Sequence, residues 1–255
     1  MTPAHRATRR LVSLVPSLTE AIVDLGRGAW LVGVSDYCPS VAGTRRLGGP
    51  RDAAVDQILN LDPDIVIGCK EENSKSTFEQ LRGRVETRVF SVCSLEDAFA
   101  CLLAMGEICS AAASAARIAA RTRRRLARIR AAVRAPARYC YPVWRDPWIV
   151  VGGRSFAAEM LAAAGGESIF GDAPEAYPRV AWAEIEARDP QIVLLPDEPY
   201  AFGEADREHF RHTPAGRRDA VHCIPGRWAA WYGTRMAAGL TSLWRCLQRR
   251  ERPGR

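Results

Sequence analysis

Lysine is nearly absent from this 255-residue chain. Only Lys70 and Lys75 occur, so the formal charge of +7 is carried by arginine. An arginine excess alone does not mark a nucleic-acid partner, because a solvated helix face uses the same residues. No apolar run approaches the ~20 residues that a membrane span needs. Eight cysteines are present without a single Cys-x-x-Cys pair, which removes dithiol redox motifs and paired-cysteine zinc sites. Several sit in apolar runs, Cys69 in IVIGC and Cys93 in RVFSVC, and buried free thiols in a reducing compartment are expected.

Catalytic signatures are missing as well. There is no GxGxxG after a strand, no Walker A loop, no GxSxG and no HExxH, so enzyme readings find little support. Cys38 and His222 form a conceivable nucleophile and base, but no spacing signature joins them. The run Leu11 to Leu18 is too short for a secretion signal, and no lipobox cysteine follows Met1. The chain as written is expected to be cytoplasmic; a start further upstream would make it periplasmic.

What is present is a phrase written twice. DQILNLDPDIVI at 56 to 67 and AEIEARDPQIVL at 183 to 194 each run from an amphipathic helix through Asp-Pro into a β-branched strand. An aromatic anchor, Phe78 or Phe210, and a second short strand, 89 to 92 or 221 to 224, follow each copy. Two such halves predict two α/β lobes with a ligand cleft between them. Strand one is expected over 10 to 15, with a capping-box start at Ser17-Leu18-Thr19-Glu20 for a helix from Thr19 to Leu25. From Leu95 to Val133 only Gly106 interrupts an alanine, leucine and arginine stretch, which predicts one helix of about forty residues. Its apolar stripe is expected at Ile118, Leu126, Ile129 and Val133. The predicted division is therefore an α/β lobe over 1 to 94, a connecting helix over 95 to 135, and a second α/β lobe over 136 to 255.

The order of motifs carries a resemblance. A strand followed by Pro-Ser-x-Thr-Glu (16 to 20), the loop Ser35-Asp36-Tyr37-Cys38-Pro39, the long helix, Pro-x-Trp-x-x-Pro-Trp (142 to 148) and Leu-Pro-Asp-Glu-Pro-Tyr-x-Phe (195 to 202) together resemble the helical-backbone substrate-binding proteins, in particular their cobalamin-binding branch, the vitamin B12 receptors of ABC importers. The resemblance covers nearly the whole chain. It implies two Rossmann-like lobes joined by a single long backbone helix, no catalysis, no covalent cofactor, and a corrinoid or similar metal chelate as ligand. An Fe(III)-siderophore or haem receptor is the alternative within the class, and a cytosolic corrinoid-handling enzyme or chaperone the alternative outside it. Carried over by position, Pro16, Ser17 and Tyr37 would line one wall, and Trp144, Arg154, Arg179, Glu198, Tyr200 and Trp231 the other. Asp56 and Glu184, inside the repeated helices, match the positions that would dock a permease.

Three further readings follow from the residues. His209 and His212 suggest a metal pair, but a solvated surface pair is favoured and no direct metal site is expected. The arginines from 121 to 134 lack interleaved aromatics, so a solvated helix face is favoured over nucleic-acid binding. Trp30, Trp182 and Trp244 are expected in the core, and Trp144, Trp148 and Trp231 at a rim. The protein is expected to be a monomer.

Overall fold

The computed structural model describes residues 8–248. His5 and the tail from 249 to 255 lie outside the described residues. The described chain divides into two compact units, one comprising residues 8–92, 96–119 and 232–234, the other 93–95, 120–231 and 235–248.

The first unit opens with strand β1 (Leu11–Ser13), helix α1 (Pro16–Asp24), β2 (Leu31–Val34), the two-residue β3 (Arg45–Arg46), α2 (Val55–Asn60), β4 (Ile65–Cys69), α3 (Lys75–Leu81) and β5 (Glu86–Phe90). The strands form one parallel sheet in the order β3-β2-β1-β4-β5. Every residue of β1 and β4 is buried, as a parallel strand covered on both faces requires. On one face Val12, Leu14 and Val66 pack with Leu47, Ile58 of α2 and Leu81 of α3. Each fully buried aliphatic side chain contributes roughly 1.5–3 kcal/mol relative to exposure. Gly68 explains the Phe78 anchor: a Cβ there would stand 2.2 Å from the Phe78 ring, so only glycine lets the ring lie across β4.

The stretch predicted as one helix is two, α4 (Leu95–Ile108) and α5 (Ala112–Ala132). Ser110 at φ 48° breaks the run, a left-handed conformation that no continuing helix tolerates. Gly106 lets the two helices approach, since a Cβ on it would sit 2.5 Å from the Ala115 Cβ. The composition that favoured a single rod favours both helices equally, so propensity could not reveal the break. The buried stripe of α5 is Ala115, Ala119, Thr122, Leu126 and Ile129. Ile118 and Val133, expected in it, are only half-buried, whereas Arg121, Arg124 and Arg128 are exposed as predicted.

The second unit continues with β6 (Ala137–Cys140), β7 (Pro142–Trp144), β8 (Ile149–Val150), α6 (Phe156–Ala163), β9 (Gly166–Ser168), α7 (Trp182–Ala187), β10 (Ile192–Pro196), a 3-10 segment (Glu204–Phe210), α8 (Pro214–Arg217), β11 (Val221–Ile224), α9 (Arg227–Ala230) and α10 (Met236–Leu247). Its main sheet is parallel in the order β11-β10-β6-β9, while β7 and β8 pair antiparallel. Ser155 caps α6 by accepting from the Ala158 N–H at 3.1 Å.

The repeat read in the sequence is a repeat of topology. Strands β2-β1-β4-β5 and β9-β6-β10-β11 occupy corresponding places in their sheets. Helices α2 and α7 precede the matching strands β4 and β10. Asp62 and Asp189 stand just past these helices at φ 45° and 53°, a left-handed turn that aspartate tolerates better than most residues. The mixed α/β architecture with a parallel sheet in each of two lobes is therefore as expected.

Candidate functional site

In doubly wound sheets, ligand residues collect beyond the carboxyl ends of the strands where the strand order reverses. In the first unit that point lies at β1 and β4, and in the second at β6 and β10. Pro16 and Ser17 immediately follow β1, and Tyr37 follows β2. Trp144 belongs to β7, directly after β6, and Glu198 and Tyr200 follow β10. The matching ends of the two sheets thus carry most of the expected residues.

Helix α1 begins three residues earlier than predicted. Pro16 occupies its first turn, Val15 precedes it, and no side chain caps it, so Ser17 is part of the helix and not its cap. The motif Ser-x-x-Glu misled because a proline at the first helical position is the stronger start signal. Ser17 is 3 % exposed, and its hydroxyl has no hydrogen-bond partner among the described residues. Tyr37 is 72 % exposed, the most open of the large apolar side chains recorded.

Cys38 beside it is buried. Its Sγ lies 3.1 Å from both Thr19 Oγ1 and Ser35 Oγ, and Thr19 Oγ1 lies 2.8 Å from Ser13 Oγ. Burial pushes the thiol above its ordinary pKa, outweighing the hydrogen bonds from Ser35 and Thr19 that pull it down. A thiol held protonated is a poor nucleophile. All eight cysteines are free thiols; Cys69 is buried as expected, whereas Cys93, also expected buried, is exposed, as is Cys223, and Cys246 is half-buried.

In the second unit Trp144 is 42 % exposed and meets Tyr200 edge to face at 5.6 Å. Tyr200 leans on Phe202 at 4.5 Å, and Phe202 stacks on Trp148 at 6.3 Å. Trp148 contacts Trp182 and Phe210 in turn, at 5.5 and 5.6 Å. The rim residue thus stands at the end of a packed row of rings, a geometry worth about 0.5–1.5 kcal/mol per pair beyond burial. Arg145 lies over the Tyr200 ring at 5.7 Å and bonds Asp206 at 2.7 Å and His209 at 2.7 Å. With Asp146, Trp148, Trp182 and His209 it lines a pocket of about 490 Å³. The peptide bonds before Pro147 and Pro199, which belong to the two motifs, are cis.

Glu198 and Trp231 come together. Burial first, and then the charge of Asp197, raise the Glu198 carboxyl above its ordinary pKa, while a hydrogen bond with Trp231 pulls it back. Its Oε1 is buried without a hydrogen-bond partner among the described residues. Arg179 is exposed and pairs antiparallel with Ile149 of β8, and Arg154 is exposed in the turn before α6.

Several sequence expectations resolve differently. Trp148 is part of the ring row more than a free rim residue, and Trp30, Trp182 and Trp244 are half-buried, not core. Their helical spacing was read as burial, yet a ring large enough to span from core to solvent satisfies both. His209 is engaged with Arg145 and Trp148, and His212 with Arg211, so the two do not converge. No group of three or more metal-ligating side chains occurs among the described residues. Asp56 and Glu184 are both exposed in the first turns of α2 and α7, but Glu184 accepts from the Ala181 N–H at 2.6 Å and so caps its own helix. Sequence reasoning did not single out Arg145, Asp206 or Phe202. The run Trp144-Arg145-Asp146-Pro147-Trp148 was the available signal for the first, and Phe202, two residues beyond Tyr200, for the third.

No helix among the described residues is long and apolar enough to cross a membrane. Curated relatives include the vitamin B12-binding protein of Vibrio cholerae serotype O1, 28 % identical over 225 residues, spanning 86 % of this chain and 82 % of the relative. Another is the vitamin B12-binding protein of Yersinia pestis, 27 % identical over 205 residues, spanning 76 % and 72 %. Among solved structures, the periplasmic haem-binding protein of Roseiflexus sp. RS-1 in apo form superposes with a TM-score of 0.83 at 24 % identity, over 94 % of this chain and 98 % of that one. The periplasmic vitamin B12 binding protein of Vibrio cholerae gives 0.79 at 23 %, over 94 % and 96 %. The profile of the family described as periplasmic binding protein matches residues 11–221, and the chain belongs to that family.

Proposed function

We propose that this chain is a non-catalytic, monomeric binding protein that captures a corrinoid of the cobalamin type. The observation that carries the reading is Trp144, an exposed indole held at the end of a packed ring row at a strand end. A corrin is a broad, partly apolar disc with polar amide edges. A preheld ring face suits the disc, because little ordering cost remains when the ligand arrives. Pro16, Ser17 and Tyr37 of the first unit are proposed contacts, as are Trp144, Arg154, Arg179, Glu198, Tyr200 and Trp231 of the second. The unpartnered Ser17 hydroxyl and Glu198 Oε1 suit the amide edges, since a buried polar atom gains most from a new partner. The names of the curated relatives support cobalamin as the ligand.

A haem is the second reading, favoured by the open phenol of Tyr37, because tyrosine is a known haem ligand type. For the ABC permease partner, Asp56 is the freer of the two docking positions. The test is titration of the purified chain with cyanocobalamin and, separately, with haemin, followed by tryptophan emission and by the ligand's absorption spectrum. Saturable quenching at micromolar cyanocobalamin without chemical change in the corrinoid supports the proposal. Binding of haemin alone replaces it with the second reading, and turnover of the corrinoid replaces it with an enzyme.

A further inference from the structure

Tyr37 is open to solvent, yet the loop bearing it is held from several sides. From β3, the edge strand of the first sheet, Arg46 sends one guanidinium under the loop. Its Nη1 donates to the carbonyl oxygens of Ser35 at 2.8 Å, Asp36 at 3.3 Å and Cys38 at 2.8 Å, and its Nη2 donates to Ser40 Oγ at 3.1 Å. Tyr37 is the one residue of the stretch from 35 to 38 whose carbonyl Arg46 does not take. The Asp36 N–H donates to Gly48 O at 2.8 Å, the Ser35 N–H to Ser13 O at 3.2 Å, and the Cys38 N–H to Ser35 O at 3.1 Å.

Carbonyls that converge on one another repel unless a cation sits among them, so Arg46 sets the loop's curvature as well as tethering it. A planar fork can serve several acceptors at once; an ammonium at the same place would be a single point. Register keeps the base in place, because Val34, at the end of β2 just before the loop, pairs with Arg46 itself.

We infer that Arg46 is a positioning residue for ligand capture: it holds the 35–40 loop so that Tyr37 is presented in its bound orientation before the ligand arrives. The inference rests on the proposed role of Tyr37 in cobalamin binding. Its physical content is preorganisation, an ordering cost met on folding and so absent from the binding step.

The experiment is a double-mutant cycle on the full chain, with cyanocobalamin as probe. Tyr37→Ala, Arg46→Ala and the double variant are titrated by tryptophan emission, with Arg46→Lys as the conservative variant. Melting temperature is recorded throughout. Arg46→Ala is expected to weaken binding about tenfold while the melting temperature falls by only a few degrees. In the Tyr37→Ala background the same change is expected to do almost nothing further, and Arg46→Lys to recover part of the loss. Equal losses in both backgrounds would show that Arg46 acts on binding independently of Tyr37 and would overturn the inference. So would an Arg46→Ala protein that binds like wild type while Tyr37→Ala does not. If Tyr37→Ala itself leaves cobalamin affinity untouched, the underlying site assignment fails, and this inference with it. Arg46→Lys carries the same comparison should the alanine variant not fold.

Discussion

Replacing Trp144 with alanine is the most direct perturbation of the proposed ligand wall. A tryptophan presents about 250 Å², and Trp144 is 42 % exposed. About 100 Å² therefore remains for a ligand to cover, worth ~2.5 kcal/mol at roughly 25 cal/mol/Å². That corresponds to about 70-fold in Kd, or about tenfold if the disc covers only half of the open ring. The variant also loses the edge contact with Tyr200, so its stability should fall by about 0.5–1.5 kcal/mol, a drop of a few degrees in melting temperature. Fluorescence or calorimetric titration with cyanocobalamin, alongside thermal unfolding, reads both quantities. A change under threefold in Kd with the expected fall in stability would refute the reasoning: Trp144 would then be a structural ring and nothing more.

Other consequences can be checked on stability alone. Asp189 holds φ 53°, so Asp189→Ala should lose about 1 kcal/mol in denaturant unfolding and Asp189→Gly should stay within about 0.5 kcal/mol of wild type; equal stability of the alanine variant would contradict this. Gly106→Ala should destabilise by about 1–2 kcal/mol although helix propensity alone favours alanine, because its Cβ would meet Ala115 at 2.5 Å; a stabilised variant would show that α4 and α5 yield easily. Burial raises the Glu71 carboxyl, but hydrogen bonds from Cys69 Sγ, Ser91 Oγ and the Val92 N–H outweigh it and hold the group down to about 2. A depressed carboxylate contributes stability above its unfolded value of 4.5, and loses it as pH falls from there toward 2. Unfolding curves of Glu71→Gln should therefore depend less steeply on pH across that window than wild type.

The topology was legible because the repeated phrase encodes it. Asp-Pro after an amphipathic turn, followed by Ile-Val-Ile or Ile-Val-Leu, left few alternatives for α2-β4 and α7-β10. What stayed hidden depends on contacts distant in sequence or on a single backbone angle. The break at Ser110 needs one left-handed residue, which serine does not advertise. The start of α1 was misplaced because a cap-like Ser17 outweighed Pro16. The expected aromatic residues were the right chemical type, but which of them open to solvent was decided by Phe202 and Trp148, which meet across tens of residues of chain. Arg46 was invisible for a different reason: apart from Ser40 Oγ its acceptors are backbone carbonyls, which no sequence pattern displays.

Among the described residues the second sheet has no strand beyond β9 to match β3, the strand that carries Arg46. The two halves of the duplication therefore brace their exposed aromatics by different forces. The Tyr37 loop depends on a solvent-exposed cationic grip, which added salt should loosen. The Trp144 ring depends chiefly on a row of neighbouring rings, which cooling should weaken and salt should touch less, since only Arg145 over Tyr200 adds a charge. Raising ionic strength and lowering temperature would then soften opposite halves of one molecule.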